Sequence, residues 1–227
     1  MNKDITIVCI DTRDSHRDQA AATLAHCQNI FPCKKAILFS DKQPNIHLPM
    51  SFVYTTCMND TENRPYDRFI LNELPNFIHT EYFLVVQTDG FIMNPSAWDD
   101  QFLEYDYIGA PWAHSPLHDW PPHQPTGPKT SVGNGGFSLR SLKLANLVKQ
   151  QYNWLIDNVT TFKTEHWYPE DCFICRDIRP SLEKKGMKFA PEEVAAKFSC
   201  ENRPYTGQFG FHGKLTEKMN NIKEIIP

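Results

Sequence analysis

Four short apolar runs, each closed by polar residues, punctuate the first part of the chain, and they constrain the fold more than any other feature. DITIVCIDT at 4–12 is apolar almost without interruption, the pattern of a strand covered on both faces. KAILFS at 35–40, SFVYTT at 51–56 and EYFLVVQ at 81–87 repeat the form. Between them, 16–30 carries Ala21, Leu24, Ala25 and Cys27 at helical spacing, and 64–79 does the same with Tyr66, Phe69, Ile70, Leu74 and Phe77. Pro75 disturbs the last turn of that second helix, because proline lacks the N–H the helical ladder needs. Strand and helix in alternation predict an α/β fold, with a Rossmann-like, mainly parallel central sheet and helices on both faces. Such sheets bind ligands beyond the carboxyl ends of their strands. Here those ends carry Asp11-Thr12-Arg13, Ser40-Asp41 and Gln87-Thr88-Asp89.

The second part reads differently. YDYIGAP at 105–111 predicts a short strand, 114–130 a loop rich in proline and histidine, and SVGNGGFSLR at 131–140 a glycine turn followed by a strand. Helices are expected over 142–158 and over 169–185, the latter with Pro169 at its start and Gly186 at its stop. An irregular tail over 198–213 ends in FGFHG. With no repeat and no linker, 1–227 reads as a single domain, a nucleotide-binding half over about 1–95 joined to an acceptor-binding half over about 96–227.

Bulk properties exclude several classes. The net charge of -4 comes without a basic patch, which argues against nucleic acid. No apolar run approaches the roughly 20 residues of a membrane span. The N-terminus lacks the apolar stretch of a signal peptide. A soluble, cytoplasmic protein is expected, a location that also allows peripheral membrane association. The seven cysteines are odd in number and scattered. Cys172 and Cys175 form a C-x-x-C, but no second ligand pair accompanies them, so core thiols in a reducing compartment are expected rather than zinc.

The chemistry-bearing motifs each admit two readings. Asp89, just after an apolar strand, stands where a carboxylate can hold a hard divalent cation against a diphosphate, with Gly90 allowing close backbone approach; it is equally a turn aspartate. His212, between glycines and aromatics, is either a metal ligand folded back over the site or a histidine packed on its neighbours. Gly133, Gly135 and Gly136 around Asn134 exceed what a hairpin turn requires and would expose amides to sugar hydroxyls. Glu170 and Asp171 open a helix, where they either cap it or supply a general base. Trp98, Trp112, Trp120 and Trp167 lie in or near loops, and an indole can pack on a sugar ring or in a core; Trp112 is the favoured acceptor residue, with Trp167 beside it.

Taken in order, QTDGFI, FLEYDYIGAPW, VGNGGFSLRS and PEDCFICR resemble a glycosyltransferase-like family known as a domain of unknown function, number 5672. The early DTR and YDRFILNEL stretches fit as well, so the likeness spans about 4–213. That family is similar to the GT-A superfamily of nucleotide-sugar-dependent transferases. The resemblance implies donor contacts at Asp11, Thr12, Arg13, Tyr66, Gln87, Asp89, Gly90, Asn134, Gly135 and Gly136. It implies a manganese or magnesium ion on Asp89 and His212, with Gln87 standing where the superfamily carries the first Asp of its metal motif. It implies Asp171 as the base and Glu170 as its partner. The expected activity is transfer of a sugar from a nucleotide-sugar, a UDP-sugar by likeness, to a carbohydrate or glycolipid acceptor in surface polysaccharide synthesis. Inversion by direct displacement is expected, with retention left open. Two rivals stand beside it. A nucleotidyltransferase would carry a glycine-rich phosphate loop after the first strand, where this chain has DTRDS. A catalytically inactive carbohydrate-binding protein of the same fold accords with Gln87.

Overall fold

The computed structural model describes residues 3–45, 51–55, 65–112, 132–159, 169–201 and 203–213. It opens with β1 (Lys3–Ile10), α1 (Arg17–Ile30), β2 (Cys33–Ser40) and β3 (Ser51–Tyr54). A helical run begins as α2 (Pro65–Arg68), and β4 (Tyr82–Val86), β5 (Gly90–Ile92), β6 (Tyr107–Gly109) and β7 (Ser138–Ser141) follow. Then come α3 (Leu142–Asn158), α4 (Glu170–Cys172), α5 (Arg179–Lys184), α6 (Glu192–Phe198), β8 (Ser199–Glu201) and β9 (Gly210–His212).

The main sheet runs β3-β2-β1-β4-β7-β6. β1 pairs in parallel with both β2 and β4, and β2 with β3, while β7 is antiparallel to β4 and β6. Alternate β1 residues serve two cores. Ile5, Ile7 and Cys9 join Leu38, Leu84 and Val86 beneath Ala20, Ala21, Leu24 and Cys27 of α1. Val8 and Ile10 join Ile37, Phe39, Phe83 and Val85 against Phe69, Ile70, Leu74 and Ile78 on the opposite face. Burial on both faces is why these strands read as unbroken apolar runs. The mainly parallel sheet with helices on both faces agrees with the sequence reading.

Three expectations need correction. The helix expected over 64–79 is α2, then a π-helical turn at Phe69–Glu73, then a 3-10 turn at Leu74–Phe77. Pro75 enforces the last change, having no N–H to give the ladder. The helix expected over 169–185 is likewise divided into α4, a π-helical turn at Phe173–Asp177 and α5. Pro180 removes an N–H, and its ring excludes the carbonyl four residues earlier. Gly186, at φ 84°, still provides the stop, and the Met187 N–H closes on the Leu182 carbonyl at 3.1 Å. The tail expected to be irregular contains β8 and β9, which form a second sheet of order β5-β9-β8. Strands of three residues are too short to display a period of two.

Among the described residues, six cysteines are unbridged and four of them are buried, as core thiols would be. No helix among the described residues is long and apolar enough to cross a membrane. The loop over 114–130 and Trp120 fall outside the described residues, as does Trp167.

Candidate functional site

The site begins with a register. β5 pairs with β9 so that Gly90 lies opposite His212, which carries the distant C-terminal histidine to the end of β4. There Gln87 and Gly90 exchange both backbone hydrogen bonds, at 2.8 and 3.0 Å, across a tight turn whose tip is Thr88-Asp89. Asp89 is thus a turn residue, and its side chain is 58% exposed. Its carbonyl accepts from the Gly213 N–H at 2.9 Å, tying the turn to the end of β9. Asp89 Oδ1 stands 3.7 Å from His212 Nε2, and Gln87 Oε1 lies 3.2 Å from the same nitrogen. Gln87 Nε2 donates to the Tyr66 hydroxyl at 2.6 Å.

His212 itself is closely held. A Cβ on Gly136 would fall 2.0 Å from His212 Nε2, and one on Gly90 would fall 2.7 Å from His212 Cδ2. The imidazole fills the space both glycines leave by having no side chain. The two positions read as room for a donor therefore make room first for this ring. On its other edge, Nδ1 faces Asn134 Nδ2 at 2.9 Å and Glu201 Oε1 at 3.2 Å. Burial works against the charged ring, but the Glu201 hydrogen bond and the charge of Asp89 outweigh it and hold His212 more basic than usual.

The loop holding Asn134 also meets the Glu170-Asp171 pair. The Gly135 N–H donates to Asp171 Oδ2 at 3.0 Å, and the Cys172 N–H to Oδ1 at 2.7 Å. The two carboxylates nevertheless occupy different surroundings. Glu170 is only 3% exposed, and its Oε1 accepts from Arg140 Nη2 at 2.6 Å. Arg140, 2% exposed, also bonds the Gly135 carbonyl and Ser138 Oγ. The Glu170 carboxylate is therefore not presented to an incoming hydroxyl, in contrast with the partner role the resemblance implies. Asp171 has no cation in hydrogen-bond contact among the described residues. Burial and the neighbouring Glu170 charge push its pKa up to about 7 against the pull of its two backbone amides.

Asp11, 3% exposed, accepts from Arg13 through the backbone N–H at 2.9 Å and Nη2 at 2.6 Å. Cys9 pairs with Val86, so the end of β1 stands beside the β4 turn. Thr12 is buried, and its hydroxyl finds no partner among the described residues. Tyr66 touches the site through Gln87; burial first, then the Glu170 charge, raises its pKa well above that of an ordinary tyrosine. Trp112 packs on Gly133, where a Cβ would fall 2.2 Å from its ring, at the other end of the glycine loop. Trp98 packs in the core beside Phe31 and Phe209 instead. Sequence reasoning missed Arg140 and Glu201. An arginine in SLR and a glutamate after a cysteine carry no local signal, and only the pairing of β7 with β4 and of β8 with β9 brings them in.

Among the described residues, no group of three or more His, Cys, Asp or Glu side chains is arranged to hold a metal ion. Asp89 and His212 offer two donors, one carboxylate and one imidazole, with the carboxylate open to solvent. That fits a cation of the magnesium or manganese kind whose other positions are taken by phosphate oxygens and water.

Residues 50–212 match the family described as "Protein of unknown function (DUF5672)". The chain belongs to this family. No curated protein matches this DUF5672 chain. Among solved structures, the apo-form glycosyltransferase GlyE of Streptococcus pneumoniae TIGR4 is similar at 12% identity and a TM-score of 0.51, over 93% of this chain and 54% of that one. This chain thus spans about half the length of GlyE. A glycosyltransferase involved in the glycosylation of the major capsid of PBCV-1 aligns at 12% identity with a TM-score of 0.49, over 97% of this chain and 98% of that one. The GlyE likeness, at that identity, shows the fold alone: the DUF5672 chain has a glycosyltransferase-like α/β fold.

Proposed function

We propose that the protein is a glycosyltransferase that moves a sugar from a UDP-sugar to a carbohydrate acceptor. One observation carries the reading. A single loop, Gly133 to Gly136, seats His212 on one side and receives Asp171 on the other, with Asp89 against the histidine. An anion-handling pair and an uncompensated carboxylate thus face each other across four residues, as donor and acceptor ends of a transfer site require.

Asp171 acts as the base. Its two backbone hydrogen bonds fix the carboxylate while leaving further lone pairs on both oxygens. One of these takes the acceptor hydroxyl proton as the acceptor oxygen bonds to the anomeric carbon and the carbon–phosphate-oxygen bond breaks with inversion. Burial and, despite the Arg140 partner, the neighbouring Glu170 charge raise the Asp171 pKa to about 7, the range a general base needs near neutral pH. Asp89 and His212 would hold the divalent cation, which when bound would supply positive charge against the leaving diphosphate. Asp11, Thr12 and Arg13 offer the nucleoside the polar end of β1.

The test is a panel of UDP-sugars assayed for UDP release with and without manganese, alongside Asp171→Asn. Release that needs Asp171 supports the transferase. Nucleotide binding with no release from any donor, with acceptors present, would instead favour the inactive carbohydrate-binding protein.

A further inference from the structure

The motif PEDCFICR contains a residue that the proposed chemistry leaves unused. Arg176 lies on the π-helical turn that follows Asp171, half-buried, with its guanidinium carbon 4.1 Å from the centre of the Trp112 ring. A guanidinium stacked on indole keeps its N–H groups in the plane of the stack, free to bond sideways. Its buried Nε has no hydrogen-bond partner among the described residues. Unpaired buried donors are rare in folded chains and call for a cause. A second arginine meets the same residue at its backbone. Arg203 Nη2 reaches the Trp112 carbonyl at 3.5 Å and pairs only loosely with Glu192, at 3.4 Å, with its side chain 37% exposed.

Trp112 therefore meets two guanidinium groups, Arg176 at its ring and Arg203 at its carbonyl, whereas the arginine beside the base, Arg140, is already taken by Glu170. The position relative to the base follows from the glycine loop. Trp112 packs on Gly133, and Asp171 is bonded to Gly135. Two residues of chain span at most about 7 Å. One small sugar bound beside Trp112, against the two arginines, can thus reach Asp171. Burial raises the Cys172 thiol while the charge of Arg176 opposes it, so the guanidinium is felt at the residue next to the base.

Resting on the transferase reading above, we propose that the acceptor is anionic, its carboxylate or phosphate received by Arg176 and Arg203 beside Trp112. Planar guanidinium groups match both anions. A neutral sugar would leave the buried Arg176 Nε without a charged partner.

The full chain, loaded with UDP and manganese, is titrated calorimetrically with methyl glucuronide, glucose 1-phosphate and, as neutral control, methyl glucoside. At least one anion is expected to bind about tenfold or more tightly than the glucoside, the scale of one charge-assisted hydrogen bond. The preferred anion tells carboxylate from phosphate. Arg176→Met, which keeps an apolar stem on the indole, should bring that preference below about twofold, and Arg203→Met should reduce it. If Arg176→Met does not fold, Arg203→Met gives the decision alone. Equal binding of all three probes, no binding of either anion, or a preference that survives the substitutions overturns the proposal. UDP is titrated first. Its failure to bind removes the transferase reading, and the anion preference is then judged on the protein without nucleotide.

Discussion

At the scale of single residues, the Glu170-Asp171 pair shows how one buried cation divides the labour of two adjacent carboxylates. Arg140 meets Glu170 at 2.6 Å, while the Asp171 oxygens are held by two backbone amides. A base must be ionised to work, so transfer is expected to rise with pH through a midpoint near the value of about 7 to which Asp171 is pushed. Asp171→Asn should lower the rate by about 100-fold or more and abolish that limb while UDP binding is retained. The same raised pKa has a stability consequence of definite sign. Between the ordinary aspartate value and about 7 the folded chain binds more protons at Asp171 than the unfolded chain does, so stability falls as pH rises through that window. Asp171→Asn should therefore melt at a higher temperature than wild type at pH 8, with the gap narrowing toward pH 4. Removing Arg140 has the opposite character. Arg140→Met strands a buried Glu170 charge and should cost about 3–5 kcal/mol. Adding Glu170→Gln should recover much of the melting temperature, because the uncompensated charge is gone, and a double variant no better than the single would refute that account.

At the scale of elements, the pairing of β5 with β9 does more for the site than either strand's composition suggests. Gly90 opposite His212 is a register fact, and no spacing of residues 90 and 212 could announce it. What the sequence did disclose was the β1, β2 and β4 runs, because burial on both faces leaves them apolar throughout, and the polar residues at their ends. It also disclosed the glycine cluster, although the cause lies elsewhere. Gly136 and Gly90 clear space for an imidazole, Gly135 for Glu170 and Gly133 for Trp112, so side chains of the protein itself account for these absent Cβ atoms. Arg140 and Glu201 stayed hidden because their partners lie 30 and 11 residues away, across pairings that local pattern does not encode. The π-helical turns were hidden for another reason: proline marks that a ladder must break, but not how the chain accommodates the break. Gly136→Ala tests the cradle directly. Its methyl would stand 2.0 Å from His212 Nε2, so the ring must leave. The variant should fold, since β7 begins only at Ser138, but should lose the manganese-dependent part of UDP binding, as His212→Ala should. Equal manganese dependence in wild type and Gly136→Ala would show that the ring's position has no bearing on the site.

At the scale of the molecule, the second sheet packs into the first core through Phe91 and Ile92 of β5 and through Phe209 just before β9. Phe209, fully buried, precedes β9 and packs on Phe31 at 5.2 Å, Trp98 at 5.1 Å and Phe198 at 5.7 Å between ring centres. Phe31 ends α1, which covers one face of the main sheet, and Phe198 ends α6. The Phe209 carbonyl also accepts the Met93 and Asn94 N–H groups at 2.9 and 3.1 Å, just past β5. The depth at which β9 enters the protein, and hence the height at which His212 meets Asp89, is set by this cluster. Stability and site geometry should therefore fall together here, unlike at Asp171, where they oppose each other. Phe209→Ala is expected to cost about 3–5 kcal/mol, which for a chain of this length lowers the melting temperature by about 2–4 °C per kcal/mol. It should also weaken UDP binding in manganese at temperatures well below melting, whereas Phe209→Leu should spare most of both. Calorimetry and nucleotide titration on the two variants decide the matter. A variant that melts early yet binds UDP as tightly as wild type would show that β9 holds its register without the aromatic cluster, on the β5 and β8 ladders alone.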